Sequence, residues 1–162
     1  MPLTFVLFKH ARFTARFPES YRYSRSHYWM APVEGEEGLW RVGFTKFATR
    51  MLGELVEAGF KVNEGDPIAP GDAIGSVEGF KAASDVLCVM DGSFAGMNQA
   101  LNVDACIVKS DPYEVGWLYA ARGVPEEDSL DVHGYVALLQ ETIQRMQDAG
   151  YGHDDEDAAK EE

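Results

Sequence analysis

Closely spaced glycines and prolines in the middle of the chain constrain its fold more than any other feature. The interruptions fall at Gly59, Gly65, Pro67, Pro70, Gly71 and Gly75. A long helix does not tolerate such punctuation, whereas short β-strands joined by tight turns use it repeatedly. Upstream, strand-forming residues between positions 21 and 43 surround a loop at residues 34–38. The pattern therefore predicts a mainly β fold.

A short helix is predicted over residues 46–52. Thr45 is a suitable N-cap, because its side-chain oxygen can accept a hydrogen bond from the first helical turn, and Gly53 provides a stop. The residues expected to face inward are Phe47, Met51 and Leu52.

A longer helix is predicted near the C-terminus, capped by Asp128 or Ser129 and ended by Gly150. Apolar residues recur there at steps of three and four, which places them on one stripe. The stripe consists of Val132, Val136, Leu139, Ile143 and Met146. We expect it to pack on the β domain; dimerisation through the stripe is the alternative.

Charge divides the chain into three parts. The whole sequence has a net charge of -13, but residues 1–25 hold five basic residues and one acid, and residues 153–162 hold six acids and one lysine. We expect an N-terminal arm over residues 1–20 that packs on the domain as an extra strand, with a transit peptide as the alternative. The domain itself is expected over residues 21–150. An acidic disordered tail is predicted over residues 151–162.

Composition excludes several classes of function. An acidic chain lacks the basic face that nucleic acids and anionic membranes require. No apolar run reaches the length of a membrane span, and no signal peptide is evident, so we expect a cytoplasmic protein. The two cysteines do not form a disulfide scaffold, and the four histidines have no metal-ligand spacing.

Residues 71–92 contain two apolar segments on either side of a turn of small residues. A β-hairpin of this kind would place Lys81 at its tip, where the side chain points into water. Taken alone, a lysine in such a position is most often a solvated surface charge. A nucleophilic lysine would instead need a desolvating pocket, for which a hairpin tip is the wrong place.

Five spaced motifs give the sequence a resemblance to a known family. They are Val77-Glu78-x-x-Lys81-Ala82-x-Ser84-Asp85, Tyr23-Ser24-x-x-His27-x-Trp29, Val42-Gly43-Phe44-Thr45-x-Phe47-Ala48-x-x-x-Leu52-Gly53-Glu54-Leu55, Asn98-Gln99-Ala100-Leu101 and Asp111-Pro112-Tyr113-x-x-Gly116-Trp117-Leu118. In this order they resemble the glycine cleavage system H protein family over roughly residues 21–149.

The resemblance implies a flattened β-barrel or sandwich of the lipoyl type, the barrel-sandwich hybrid, with short edge helices and a C-terminal helix. It also implies lipoic acid in amide linkage to Lys81, and hence a carrier protein of a multi-enzyme system, not an enzyme. Biotin carriers have Met on both sides of the lysine, where this chain has Phe80 and Ala82. Lipoyl domains of 2-oxoacid dehydrogenases usually have Asp directly before it.

The residues around Lys81 are expected to be recognised by the attaching enzyme, a lipoate ligase or a lipoyl synthase and transferase. Glu78 stands three residues before the lysine, as in H proteins, and its alternative role is a cross-strand polar pair. Phe80 either contacts a partner or lies back on the hairpin. The expected recognition set is Glu78, Gly79, Phe80, Ala82, Ser84 and Asp85.

Several positions depart from the family pattern. Gly79-Phe80 stands in place of the usual Ser-Val, Tyr28 in place of a frequent Glu, and Val89-Met90-Asp91-Gly92 in place of Pro-Val-Ser-Gly. The segment Glu57-Ala58-Gly59-Phe60-Lys61-Val62 replaces a Leu-Pro turn, and an aromatic arm and an acidic tail are added at the ends. These departures are expected near the face that partner enzymes read. We therefore favour a sister group, the lipoate-binding proteins that serve heterodisulfide-reductase-like complexes in sulfur oxidation.

Glycine cleavage is the alternative pathway. Its partners would be the P, T and L proteins, where the L protein is a dihydrolipoamide dehydrogenase, and the cargo would be an aminomethyl group. A third possibility is an unlipoylated or regulatory paralogue.

Cys88 has two interpretations. It is either a buried core thiol or a thiol that exchanges with the lipoyl disulfide. Its position on the second strand of the hairpin makes its reach to the lipoyl group doubtful.

Overall fold

The computed structural model of the protein describes residues 3–150. The strands are β1 (Phe5–His10), β2 (Phe13–Pro18), β3 (Arg22–Tyr23), β4 (Tyr28–Pro32), β5 (Leu39–Phe44), β6 (Leu55–Phe60), β7 (Pro67–Ile68), β8 (Ala73–Gly79), β9 (Ala83–Leu87), β10 (Met90–Met97) and β11 (Tyr119–Pro125). The helices are α1 (Lys46–Leu52), α2 (Ile107–Ser110) and α3 (Val132–Asp148), with a short 3-10 helix at Gln99–Asn102.

The strands form three antiparallel sheets. A six-stranded sheet has the order β3-β4-β5-β11-β10-β7, a three-stranded sheet has the order β6-β8-β9, and β1 and β2 form a separate hairpin. Helix α1 connects the two larger sheets, because it lies between β5 and β6 in the chain. The prediction of a mainly β sandwich with short edge helices and a C-terminal helix is confirmed.

The main core lies between the six-stranded and the three-stranded sheets. Met90 and Tyr119 of the larger sheet and Val77 and Val86 of the smaller sheet belong to one buried cluster. Val77 and Val86 point inward from the hairpin that carries Lys81, so burial of these side chains fixes that hairpin on the domain.

A second, aromatic cluster lies on the outer face of the larger sheet and joins the β1–β2 hairpin to α3. Phe17 and Tyr135 are fully buried in it, with their rings edge to face at 5.3 Å. The ring of Tyr135 also stacks on Tyr23 at 4.9 Å. The apolar side of α3 is therefore covered by the chain's own domain, as expected, and the N-terminal residues pack on that domain as a hairpin.

Three details of the predicted elements were wrong. Asp131, not Asp128 or Ser129, caps α3, and its side chain accepts a hydrogen bond from the Gly134 backbone N–H at 2.8 Å. The preceding Leu130 is paired with Tyr23 in an isolated β-bridge, which keeps residues 128–130 out of the helix.

The second error concerns Met51, which is 48% exposed. Helix α1 lies between two clusters, with Phe47 in the aromatic cluster and Leu52 in the main core. A single inward stripe does not describe a helix that packs on two sides. The third error concerns a strand that the sequence predicts through Trp117, Leu118 and Tyr119, after the turn at Asp111-Pro112-Tyr113; the strand begins only at Tyr119.

The predicted acidic tail at residues 151–162 lies outside the described residues. Within residues 3–150, no helix has both the length and the apolar character needed to cross a membrane.

Candidate functional site

Lys81 lies at the tip of the β8–β9 hairpin. Residues 80–82 form the turn, which is closed by a hydrogen bond from the Gly79 N–H to the Ala82 carbonyl at 2.9 Å. Phe80 and Lys81 are both exposed, and Phe80 is 78% exposed. The predicted position of the lysine on a hairpin tip is therefore correct.

The backbone of this turn is held by the junction between α1 and β6. The Lys81 N–H donates to the Leu52 carbonyl and the Phe80 N–H donates to the Glu54 carbonyl, both at 3.0 Å. These hydrogen bonds join two segments that are far apart in the sequence. They fix the base of the lysine in place, because the turn cannot move without breaking them.

Two glycines permit the close approach of the turn to the junction. A Cβ at Gly79 would overlap the Leu52 carbonyl oxygen. Gly53 has a φ of 76° and a ψ of -170°, a conformation that only glycine adopts readily, and a Cβ there would lie 3.0 Å from Lys81 Cγ. The position of the Lys81 backbone against the junction therefore depends on the absence of side chains at Gly53 and Gly79.

The side chain of Lys81 extends from this position along the C-terminal end of α1. Its Nζ lies 3.5 Å from the carbonyl oxygen of Arg50, at the limit of a hydrogen bond. The amine is exposed, so an attaching enzyme can reach it. A fixed base and an accessible amine are what a covalent carrier arm requires.

The expected recognition residues share the exposed surface of the hairpin. Glu78 and Asp85 lie on the outer face of the three-stranded sheet, where they line an open hollow of about 550 Å³ together with Glu57. The cross-strand neighbours of Glu78 are Ala83 and Glu57. Because a like charge faces it, Glu78 does not form a stabilising cross-strand pair there, and its alternative role is not supported.

The other members of the expected recognition set are also accessible. Ala82 and Ser84 are exposed, and the Ser84 hydroxyl donates to its neighbour's carbonyl, that of Asp85, at 2.9 Å. Gly79 is half-buried under the turn. Recognition of this set by an attaching enzyme stays a prediction.

Cys88 is only 1% exposed and belongs to the main core. Its Sγ donates to the Met90 carbonyl at 3.0 Å, and burial raises the pKa of the thiol to about 11. A buried thiol with a raised pKa is a poor nucleophile. The geometry therefore favours the core interpretation of Cys88 over thiol exchange.

The positions that depart from the family pattern are divided between the core and the surface. Tyr28, Val89 and Met90 are 3%, 1% and 0% exposed. The expectation that these departures lie on a face read by partners was wrong for all three. Other departing residues are exposed: Phe80 is 78% exposed, and Glu57, Lys61 and Asp91 also lie on the surface.

A buried polar group at the start of α1 was not predicted. The Tyr135 hydroxyl lies 2.8 Å from both His27 Nδ1 and Thr45 Oγ1, and the Thr45 N–H donates to the His27 carbonyl at 3.1 Å. Burial lowers the pKa of His27 to about 4, so the imidazole is neutral at pH 7. This group ties α3 to the N-terminus of the helix whose other end holds Lys81.

Comparisons with known proteins agree with this geometry. The family model for Glycine cleavage H-protein matches residues 21–141, which leaves the β1–β2 hairpin outside the match. The glycine cleavage system H protein of Micrococcus luteus is 36% identical over 123 residues, which are 74% of this chain and 94% of the relative. That of Enterobacter sp. is 33% identical over 126 residues, 76% of this chain and 95% of the relative.

A solved structure shows the same fold. The crystal structure of a glycine cleavage system H protein from Mycobacterium marinum has a TM-score of 0.67 to this chain at 29% identity. The match covers 75% of this chain and 97% of that one. Sequence and fold lead to one conclusion: the chain belongs to the glycine cleavage H-protein family.

Proposed function

We propose that this protein is the lipoyl carrier of a glycine cleavage system and that Lys81 is the residue that bears the lipoyl group. Proteins of this family carry lipoic acid covalently attached to a lysine. The observation that carries the proposal is the position of Lys81, an exposed amine at a hairpin tip inside the matched segment.

The residues around Lys81 fit such a group. The amine is accessible, and the outward side of the turn is free of large side chains except Phe80. When bound, the lipoyl group supplies a dithiolane that accepts, carries and releases the aminomethyl cargo and is finally reoxidised from the dithiol form.

The chain's own residues position that group. Hydrogen bonds to the carbonyls of Leu52 and Glu54 hold the base of the arm, so the arm pivots from one defined point. An arm anchored at its base is confined to a small volume, which raises its concentration at the active site of a docked enzyme. Amide formation removes the charge of Lys81 and leaves the contacts of the turn backbone unchanged.

The partners follow from this function. A lipoate ligase or a lipoyl transferase would modify Lys81, with Glu78 and Asp85 as candidate contacts on the adjoining face. The P, T and L proteins of glycine cleavage would then act on the arm in turn. A role as carrier in heterodisulfide-reductase-like sulfur oxidation receives no support from the comparisons, which favour the glycine cleavage alternative.

Lipoylation of purified protein tests the site. The chain is incubated with a lipoate ligase, lipoic acid and ATP, and its intact mass and peptide map are measured. We expect one lipoyl group, on Lys81, and none on the variant Lys81→Arg. The variant Lys61→Arg is the matched control, because Lys61 is exposed and follows β6, at the other end of the three-stranded sheet.

The pathway needs a second measurement. The lipoylated protein should support exchange of bicarbonate with the carboxyl carbon of glycine when the P protein is present. An unmodified Lys81 in protein from the native host would contradict the carrier role. A native lipoyl group that bears sulfur atoms instead of an aminomethyl group would contradict the assignment to glycine cleavage.

A further inference from the structure

Exposed apolar side chains from three elements lie around the turn that carries Lys81. Phe80 of the turn is 78% exposed, Val56 of β6 is 52% exposed and Met51 of α1 is 48% exposed. Large apolar side chains that are grouped on the surface of a soluble protein are typical of a surface that binds another protein. We call Met51, Val56 and Phe80 the Lys81 apolar patch.

Met51 is placed beside the lysine by the contacts of its two chain neighbours. The carbonyl oxygen of Arg50 lies 3.5 Å from Lys81 Nζ, and the carbonyl of Leu52 accepts the Lys81 N–H at 3.0 Å. Met51 stands between these two residues in the last turn of α1, and its side chain is half exposed. An enzyme that approaches the lysine therefore meets Met51.

Val56 is turned outward by a β-bulge at the base of the same turn. Leu55 pairs with Gly79 and Glu57 pairs with Glu78, so Val56 is the extra residue between two consecutive pairs. Leu55 is 2% exposed, whereas Val56 is half exposed. A bulge redirects a side chain, and bulges are common beside functional sites. The bulge thus adds an apolar side chain to the surface next to the turn.

Acidic side chains surround the Lys81 apolar patch. Glu54 and Glu57 lie on either side of Val56 in the chain, and Glu78 and Asp85 line the hollow on the outer face of the three-stranded sheet. All four are exposed. An apolar centre with a polar rim is the usual arrangement of a protein interface, and an acidic rim complements a partner with basic residues around its own apolar centre.

The reach of the lysine identifies the partner. An attaching enzyme acts on the Lys81 amine, which is only one side chain away from the turn backbone, so that enzyme must lie against the residues around the turn. The enzymes of the cycle act on the dithiolane at the far end of the attached arm and can bind further away. We propose that the Lys81 apolar patch is the docking surface of the lipoate ligase that acylates Lys81, with basic residues of the ligase facing Glu54 and Glu57. This inference rests on the proposed carrier function and names the partner of its attachment site.

The patch acts by binding and takes no part in the acyl transfer. The ligase forms a lipoyl adenylate from lipoic acid and ATP. The Lys81 amine then loses a proton and its nitrogen forms the amide bond with the lipoyl carboxyl carbon, while the bond from that carbon to the phosphate oxygen breaks and AMP leaves. Loss of the patch should therefore raise the KM for the unmodified protein and leave kcat unchanged.

The double variant Met51→Gln/Val56→Thr tests the apolar contact. Gln and Thr keep the approximate shape of the original side chains and suit a helix and a strand, respectively, so the fold is retained. With the lipoate ligase of the same organism, lipoic acid and ATP, we expect the KM for the unmodified protein to rise about tenfold. The matched control is Leu7→Gln/Val124→Thr, which changes two residues that are 82% and 60% exposed in β1 and β11. Its KM should stay near the original value.

A second pair of variants tests the acidic rim. Glu54→Gln/Glu57→Gln should raise the KM of lipoylation about fivefold at low ionic strength, because two charges that attract the ligase are lost. The effect should shrink at high salt, since exposed charges are screened, whereas the effect of Met51→Gln/Val56→Thr should persist. Glu36→Gln/Glu37→Gln makes the same change in net charge in the loop before β5, at the opposite end of that strand from α1, and should leave the KM unchanged.

The choice of partner is tested with protein that already carries the lipoyl group. Met51→Gln/Val56→Thr is lipoylated to completion at a high concentration of ligase and assayed as substrate of the glycine decarboxylase, the aminomethyltransferase and the dihydrolipoamide dehydrogenase. We expect its KM with each of these enzymes to equal that of the original sequence. An equal rise with any of them would show that the patch serves the arm in general, and would overturn the assignment to the ligase.

Three other results would also overturn the proposal. The first is an unchanged KM of lipoylation for Met51→Gln/Val56→Thr, and the second is an equal rise for either control variant. The third is a lower KM for Glu54→Gln/Glu57→Gln, which would mean that the ligase does not present a basic surface. Failure of the carrier function would look different, because Lys81 of the original sequence would then not accept lipoate at all.

Discussion

The variant Gly53→Ala tests whether the junction between α1 and β6 positions Lys81. Gly53 has φ 76° and ψ -170°, a region in which a residue with a Cβ costs about 1–3 kcal/mol. The new methyl group would also lie 3.1 Å from the Lys81 backbone nitrogen, which is closer than ordinary packing allows. The nitrogen cannot turn away as a flexible side chain can, because it donates to the Leu52 carbonyl.

We therefore expect Gly53→Ala to lower the free energy of unfolding by about 2–4 kcal/mol, from the backbone conformation and the steric contact together. The chain offers a matched control in Gly35. That glycine has a φ of 83° but no atom within 4 Å of an added Cβ, so Gly35→Ala carries backbone strain alone. We expect this control to lose only about 1 kcal/mol.

Two assays measure the difference. Urea unfolding gives the free energies of the two variants, and intact-mass kinetics give the rate at which a lipoate ligase modifies each folded protein. A displacement of the turn by about 1 Å is enough to slow a positioned reaction by up to ~100-fold, so Gly53→Ala should be lipoylated far more slowly than Gly35→Ala. Equal stability and equal lipoylation of the two variants would refute the argument that the junction holds the lysine.

Three further predictions concern the scaffold. Burial lowers the pKa of His27 from 6.5 to about 4 in the folded protein, so the unfolded chain binds a proton more readily between these two pH values. The free energy of unfolding should therefore fall by about 2–3 kcal/mol as the pH drops from 6.5 to 4. The difference between the urea midpoints of the original sequence and of His27→Gln should shrink as the pH is lowered over this range. A difference that does not change with pH would contradict a buried neutral imidazole at His27. Cys88→Ser should keep the hydrogen bond to the Met90 carbonyl and lower the free energy of unfolding by about 1 kcal/mol. Its turnover as a carrier should be unchanged, and loss of turnover in the folded variant would support thiol exchange at Cys88. Asp131→Ala should lower stability by about 1 kcal/mol in thermal unfolding through loss of the N-cap of α3, whereas an unchanged melting temperature would argue against that cap.

The sequence was sufficient to predict local structure where one signal dominated. The bounds of α1 followed from Thr45 and Gly53, although the Thr45 hydroxyl makes no capping hydrogen bond and lies 2.8 Å from the Tyr135 hydroxyl instead. The hairpin tip at Lys81 followed from a turn between two apolar segments. The start of α3 did not follow, because three capping residues lie within four positions and only the bridge between Leu130 and Tyr23 selects Asp131.

Contacts between segments that are far apart in the chain could not be predicted from the sequence. Nothing in the local sequence indicates that the Leu52 carbonyl receives the Lys81 N–H, or that Tyr135 reaches His27 across 108 positions of the chain. Both arise from the way in which α1 lies between two clusters. The resemblance to a family located the lysine, but the reason for its fixed base is tertiary.

The departure at Gly79 has a packing explanation, and this explanation bears on the choice of pathway. A side chain at this position would overlap the Leu52 carbonyl oxygen, so the serine of the family pattern would force the turn away from the junction. Val89 and Met90 likewise fill the main core. Because Val89 and Met90 are buried, a partner enzyme cannot contact their side chains. These two departures therefore give no reason to prefer sulfur oxidation.

Phe80 is different, because it is 78% exposed directly beside Lys81. A single exposed aromatic residue does not define a pathway, whereas the family match extends over residues 21–141 and includes both sheets of the sandwich. The assignment to glycine cleavage therefore rests on the whole domain. Phe80 is instead a candidate contact for any enzyme that acts on the arm, because it is exposed and its backbone N–H is held in the same anchored turn as Lys81.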